Sequence, residues 1–167
     1  MKLLREYIRE LVDQEADLMI PPPPTEFERV KELSEIQRQY HSRYNPEEIQ
    51  DALDSVEGSF NSLLTAAGIL SQENLLKQLK NEILPIIDLH KNYFDVERPN
   101  ELARRHNIDF KSDYLESAQT PSYPSGHSAQ AYYVATKLSK LYPGLTEELL
   151  AMAEMISQAR VDRGVHF

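Results

Sequence analysis

The feature that most limits the fold of this chain is a helical spacing of apolar residues that recurs along its length. The apolar residues of segment 72–93 recur three or four positions apart, for example at Leu79, Ile83, Ile86 and Ile87. This spacing places them on one face of a helix, and other helices must cover that face. No segment shows the apolar–polar alternation of a half-buried strand. The pattern therefore predicts an all-α fold.

Turn and capping residues divide this pattern into segments. Thr25 and Glu28 form a capping box, and Asn45 before Pro46 suits a helix start. We expect Ser71 to cap the longest helix. The predicted helices cover residues 2–19, 25–40, 45–56, 59–70, 72–93, 128–142 and 146–161.

Two stretches break the helical pattern. Residues 21–24 are four prolines and predict a stiff connector. Residues 95–122 read as irregular chain, apart from a short helix near 102–106. We expect one domain over residues 1–167, in which 1–90 supply N-terminal helices. The whole predicts a bundle of about six to eight helices.

Composition excludes several classes of protein. The net charge of −9 argues against a general nucleic-acid binder, and the absence of cysteine excludes disulfides and cysteine-based metal sites. No apolar run reaches the roughly 20 residues of a membrane span. The N-terminus lacks the apolar run of a secretory signal, so we expect a cytoplasmic or otherwise unexported protein.

Residues 121–128, with the sequence PSYPSGHS, predict a tight turn that opens a helix. Two prolines restrict the backbone there, and Gly126 can adopt conformations that other residues avoid. Unpaired N–H groups at the start of a helix bind anions such as phosphate. The Ser125 hydroxyl and the N–H groups of Ser125 and Gly126 would add donors, and His127 could protonate a leaving oxygen.

Cations flank this turn on both sides in the sequence. Lys91 is followed after six residues by Arg98, and Arg160 is followed after five residues by His166. Phosphoryl transfer without a metal needs fixed cations and N–H donors around three phosphate oxygens. We expect these three cations to clamp the phosphate. His166 and His127 would act as nucleophile and acid on its opposite sides.

The segments KNYFDVERP, PSYPSGH and ARVDRGVH resemble the three signature segments of the type 2 phosphatidic acid phosphatase superfamily. That family includes soluble bacterial class A acid phosphatases, membrane lipid phosphatases and vanadium haloperoxidases. The resemblance covers residues 91–167. It implies a helical bundle of the acid phosphatase and haloperoxidase type, with the site between helix ends.

The resemblance also implies residue roles. His166 matches the histidine that becomes transiently phosphorylated, and His127 matches the general acid. The phosphate binders match Lys91, Arg98, Ser125, Gly126 and Arg160.

The third segment departs from the family pattern in two ways. Ala159 stands where the family has serine, and the sequence stops at Phe167, before the aspartate that would orient His166. The helix that normally follows is also missing from the sequence. We therefore expect a shortened gene product with weak or no activity.

These observations favour a phosphatase that hydrolyses phosphate monoesters of small molecules, with no metal and no cofactor. One alternative is a vanadium haloperoxidase with vanadate as cofactor, although Glu97 stands where those enzymes tend to have an aromatic residue. Another is a non-catalytic helical module that binds an anion or a partner. The amphipathic N-terminal segment leaves a homo-oligomer open.

Overall fold

The computed structural model describes residues 21–42 and 47–167, and within these ranges it is helical without strands. The prediction of an all-α fold is confirmed. The helix predicted for residues 2–19 lies outside the described residues. The described α-helices are α1 Glu26–Ser42, α2 Glu47–Leu53, α3 Val56–Ala66, α4 Glu73–Phe94, α5 Pro99–Arg105, α6 Gly126–Leu141 and α7 Thr146–Asp162.

The centre of the bundle is the pair of C-terminal helices, α6 and α7, which pack along each other. Helix α4 packs on α6, and α3 contacts α4, α6 and α7. Their apolar faces meet in one core of fully buried side chains that includes Phe60, Leu76, Leu138 and Leu149. This core fixes α4 and α6, the two helices that flank the irregular segment 95–125 in the sequence.

The start of α1 agrees with the sequence. The Thr25 N–H donates to Glu28 Oε2 at 2.8 Å, and the Glu28 N–H donates back to Thr25 Oγ1 at 3.4 Å. This reciprocal pair is the predicted capping box.

The prediction for residues 45–56 was wrong at its C-terminal end. Helix α2 ends at Leu53, and a new helix begins at Val56 because Ser55 caps it. The Ser55 side chain accepts a hydrogen bond from the Gly58 N–H at 3.0 Å. The break places Asp54 in a turn between two helices.

The expected cap of α4 was also wrong. Ser71 does not cap the helix. Instead Asn61, on α3, accepts hydrogen bonds from the Gln72 N–H at 2.9 Å and from Ser71 Oγ at 3.0 Å. Pro85 lies inside α4, which continues through it to Phe94.

Residues 95–125 contain little regular structure, as predicted. They hold only α5 and a 3₁₀ turn, Glu116–Ala118, within the described chain. In the described part of the chain, no helix combines the length and the apolar character needed to cross a bilayer. This irregular segment passes between the ends of α4, α6 and α7 and carries most of the contacts described next.

Candidate active site

Residues 120–121 lie just before the turn that opens α6, and their main-chain carbonyls hold two of the predicted cations. Arg98 Nε donates to the Thr120 carbonyl at 2.8 Å, and Lys91 Nζ donates to the Pro121 carbonyl. The segment is itself fixed, because the Ser122 N–H donates to the Val96 carbonyl at 2.7 Å. Both cations are almost completely buried, at 6% exposure each.

His166 is attached to the same segment. Its ring forms a hydrogen bond with the Ser122 backbone, and its Nε2 lies 2.8 Å from Arg98 Nη1. A guanidinium can only donate, so Nε2 is the acceptor and the ring proton lies on Nδ1. Nδ1–H therefore donates to the Ser122 carbonyl. Arg98 Nη1 also donates to the Val165 carbonyl at 2.8 Å, which fixes the chain next to His166.

The surroundings of His166 favour its neutral form. Burial lowers the pKa of His166 well below its ordinary value, and the positive charges of Arg98, Arg160 and Lys91 lower it further. The hydrogen bond to Ser122 opposes this shift only in part. The ring therefore carries an unprotonated Nε2 at neutral pH.

The cations themselves are destabilised in their charged forms. Burial lowers the pKa of Lys91 to about 8, and the charges of Arg98 and Arg160 contribute in the same direction. Burial and the Arg160 charge lower the pKa of Arg98 to about 10. Each shift comes mainly from burial, which disfavours the charged form, and nearby positive charges add to it.

The turn at residues 121–128 opens α6 as predicted, two residues earlier than the sequence pattern indicated. Ser125 is the N-cap, and its Oγ accepts from the Ser128 N–H at 3.4 Å and from Ser128 Oγ at 3.0 Å. Gly126 is the first helical residue and does not use a positive φ, contrary to the sequence argument. A Cβ at Gly126 would lie 3.9 Å from Lys91 Cε, an ordinary van der Waals contact, so the helix start lies beside that cation without requiring a glycine.

His127 faces the turn between α2 and α3. Its Nε2 lies 3.1 Å from the Asp54 carbonyl and 3.9 Å from Asp54 Oδ1. Burial lowers the pKa of His127, and the Arg160 charge adds to the effect, while Asp54 opposes it. Sequence reasoning missed Asp54, because no motif contains it and the turn that holds it lay within a predicted helix.

Arg160 links the two histidines electrostatically, since its charge lowers the pKa of both His127 and His166. Its Nη1 donates to Asp54 Oδ1 and its Nη2 to Ser117 Oγ, the latter at 3.1 Å. The side chain is 1% exposed, and its Nε is buried without a hydrogen-bond partner among the described residues. One donor of the guanidinium is therefore unused.

A tight turn after α7 brings His166 back to Arg98. The Val165 N–H donates to the Arg160 carbonyl at 3.2 Å and the Gly164 N–H to the Val161 carbonyl at 2.8 Å. This is a Schellman turn, in which the residue after the cap has a left-handed backbone. Gly164 has φ +69°, and a Cβ there would lie 2.9 Å from the Lys111 carbonyl oxygen. Sequence reasoning gave this glycine no role.

Not all of the predicted residues face one open cavity. His166 and Ser125 line a cavity of about 400 Å³ whose other walls include the proline segment 21–24. Arg98 lines a separate cavity of about 350 Å³ together with Thr120 and Pro121. Lys91, His127 and Arg160 do not line the cavity at His166, because they point to main-chain carbonyls and to Asp54.

Comparison with known proteins agrees with the three segments. No curated protein matches the chain at a significant level. The family model described as the PAP2 superfamily matches residues 60–167, which is more than half of the chain and contains every predicted site residue. The chain therefore belongs to the PAP2 superfamily, the type 2 phosphatidic acid phosphatase superfamily that its three segments resemble.

Proposed function

We propose that this protein hydrolyses phosphate monoesters through a phosphohistidine at His166. Membership of the superfamily suggests phosphatase-type activity. The observation that carries the finer proposal is the state of His166, a fully buried imidazole that is kept neutral and offers Nε2 to a guanidinium 2.8 Å away. A neutral imidazole nitrogen beside fixed cations is what attack on a phosphate dianion requires.

The three cations support an anion as the ligand. Lys91 and Arg98 have lowered pKa values, and Arg160 keeps a buried, unused Nε–H. A phosphate dianion would supply the missing negative charge and accept these donors. The first N–H groups of α6, at Gly126 and His127, have no partner within the helix and would add to them.

In the first step, Arg98 Nη1 transfers its hydrogen bond from His166 Nε2 to a phosphate oxygen, which frees the Nε2 lone pair. Nε2 then forms a bond to phosphorus while the bond between phosphorus and the ester oxygen breaks. His127 gives its proton to that oxygen, and the alcohol leaves. In the second step, water attacks the phosphohistidine, His127 takes the water proton, and the bond between Nε2 and phosphorus breaks. Inorganic phosphate leaves and both rings return to their starting states.

His127 must be protonated for the first step, whereas burial and the Arg160 charge lower its pKa in the free protein. A bound dianion next to Arg160 would offset that positive charge and raise the pKa of His127. Substrate binding would therefore favour the protonated form of His127.

Trapping of a phosphoenzyme tests this proposal. The protein is mixed with ³²P-labelled phenyl phosphate and quenched in base, where phosphohistidine survives and acyl phosphates do not. We expect label on His166, its loss in His166→Ala, and its retention in His41→Ala, which changes an exposed histidine on α1. Turnover that persists in His166→Ala would refute the nucleophile, and anion binding without turnover would favour a non-catalytic module.

Substrates with different leaving groups test the role of His127 as general acid. A p-nitrophenolate ion leaves without a proton, whereas an alkoxide does not. General acid catalysis contributes about 10²–10⁴-fold, so His127→Ala should lose about that factor with an alkyl phosphate and much less with p-nitrophenyl phosphate. Equal losses with both substrates would remove His127 from the role of acid.

A further inference from the structure

Arg29 is a cation in the cavity of His166 that no signature segment contains. It lies on α1, more than a hundred residues before the histidine in the sequence, and lines the same cavity of about 400 Å³ as His166 and Ser125. It contacts the residue next to the histidine, because its guanidinium carbon lies 5.7 Å from the centre of the Phe167 ring.

Two of the three guanidinium nitrogens of Arg29 lack a hydrogen-bond partner among the described residues. Its Nε and Nη1 are buried and have no partner among the described residues. The charge of Arg29 reaches Glu32, one turn along α1, but no ion pair joins the two in the described chain. Buried donors on a permanent cation are costly without an acceptor, so this position calls for an anionic ligand.

The rest of the cavity wall is largely apolar. Pro23, Pro24, Val96 and Ala129 line it. Pro21 at the start of the proline segment is held in place, because Tyr123 Oη donates to its carbonyl at 2.7 Å. A cavity of this volume fits a small organic molecule, and apolar walls with a few polar groups are typical of such sites.

We propose that Arg29 binds a second anionic group of the substrate, a carboxylate or a second phosphate, on an apolar body whose reacting phosphate lies at His166. Arg29 is then a residue that sets substrate specificity. This inference rests on the proposed function only for the identity of the first phosphate. The cation, its unused donors and the shared cavity are independent of any reaction.

The test measures binding without turnover. Arylphosphonates have a carbon–phosphorus bond and cannot be hydrolysed as esters. Calorimetry compares phenylphosphonate with its ortho, meta and para carboxylate derivatives, with phenylene bisphosphonates, and with the methyl derivatives as controls for size. We expect at least one doubly anionic probe to bind about tenfold or more tighter than phenylphosphonate, and the methyl probes to show no such gain. The carboxylate and bisphosphonate series show which anion is preferred.

Variants assign the preference to Arg29. Arg29→Gln should abolish it, and Arg29→Lys should keep part of it, because lysine retains the charge but loses the planar fork. Arg38→Gln is the matched control, since Arg38 lies on the same helix, is exposed and pairs with Glu35. Circular dichroism and thermal melting check the fold of each variant. If Arg29→Gln does not fold, the comparison rests on Arg29→Lys against Arg38→Gln.

The outcomes separate this inference from the proposed hydrolysis. Equal affinity of the wild type for all probes would overturn the role of Arg29 even if phosphate esters are hydrolysed, and so would a preference that is undiminished in Arg29→Gln or, where that variant does not fold, in Arg29→Lys. A preference lost in Arg29→Gln, or reduced in Arg29→Lys but not in Arg38→Gln, would support it even if the matching carboxyphenyl phosphates are not turned over. Failure of every probe to bind would overturn both.

Discussion

Replacement of Gly164 by alanine is expected to damage both stability and the site. Gly164 has φ +69°, and an added Cβ would lie 2.9 Å from the Lys111 carbonyl oxygen and 3.1 Å from Ser112 Cβ. A left-handed backbone costs a residue with a side chain about 1–2 kcal/mol. Crowding against a fixed backbone typically costs about 1–3 kcal/mol more. The free energy of unfolding should therefore fall by about 2–5 kcal/mol.

Two other glycines separate these contributions. Gly68 also has a positive φ, of +79°, but a Cβ there would meet no atom within 4 Å. Gly68→Ala should cost about 1–2 kcal/mol from the backbone alone. Gly144 has neither a positive φ nor a neighbour within 4 Å. Gly144→Ala should be neutral or stabilise by up to roughly 1 kcal/mol, because alanine restricts the unfolded chain.

Urea denaturation of the three variants measures the differences. The order of stability should be Gly144→Ala, then Gly68→Ala, then Gly164→Ala. In thermal melting, about 2–4 °C is lost per kcal/mol in a chain of this size. Phosphate binding should weaken in Gly164→Ala alone, because its turn holds His166 against Arg98. The reasoning would be refuted if Gly164→Ala were as stable as Gly68→Ala, or if it bound phosphate like the wild type.

Three further predictions follow from the contacts. Asp54→Ala should lower the free energy of unfolding by about 1–3 kcal/mol, because Arg160 loses the partner of a buried charge. Added phosphate should raise the melting temperature of Asp54→Ala by more than it raises that of the wild type, and an equal rise would contradict this. Burial lowers the pKa of Lys91 to about 8, so the affinity for sulfate, whose charge is constant, should fall in calorimetry as the pH rises through that value. Lys91→Arg should flatten that dependence, and an unchanged slope would contradict the assignment. Asn61→Ala should destabilise by about 1 kcal/mol and Ser71→Ala by less; urea denaturation that reverses this order would restore Ser71 as the cap.

The sequence was most informative where a local rule decides the structure. The capping box of Thr25 and Glu28 and the start of α6 next to Ser125 depend on contacts within three or four residues. Such contacts can be predicted from spacing alone. The cap supplied by Asn61 could not be predicted, because it comes from another helix across a tight connection.

The same limit applies to the site. The motif residues are recognisable in the sequence, but tertiary structure places two further residues at the site: Asp54, the partner of Arg160 and His127, and Arg29, in the cavity of His166. Asp54 became visible only when α2 ended at Leu53, and Arg29 only when α1 packed near the C-terminal turn. Neither residue belongs to a motif or lies at a characteristic spacing from one, so no sequence pattern could assign either to the site.

The main chain of residues 120–122 holds three side chains of the site in position. Three successive carbonyls accept hydrogen bonds from Arg98, Lys91 and His166. Carbonyl dipoles carry no net charge, so they satisfy donors without cancelling the positive charge of Lys91 and Arg98. A carboxylate in the same position would neutralise the cations and compete with phosphate. Holding cations on main-chain oxygens therefore keeps the side chains in position while leaving their charge for an anionic ligand.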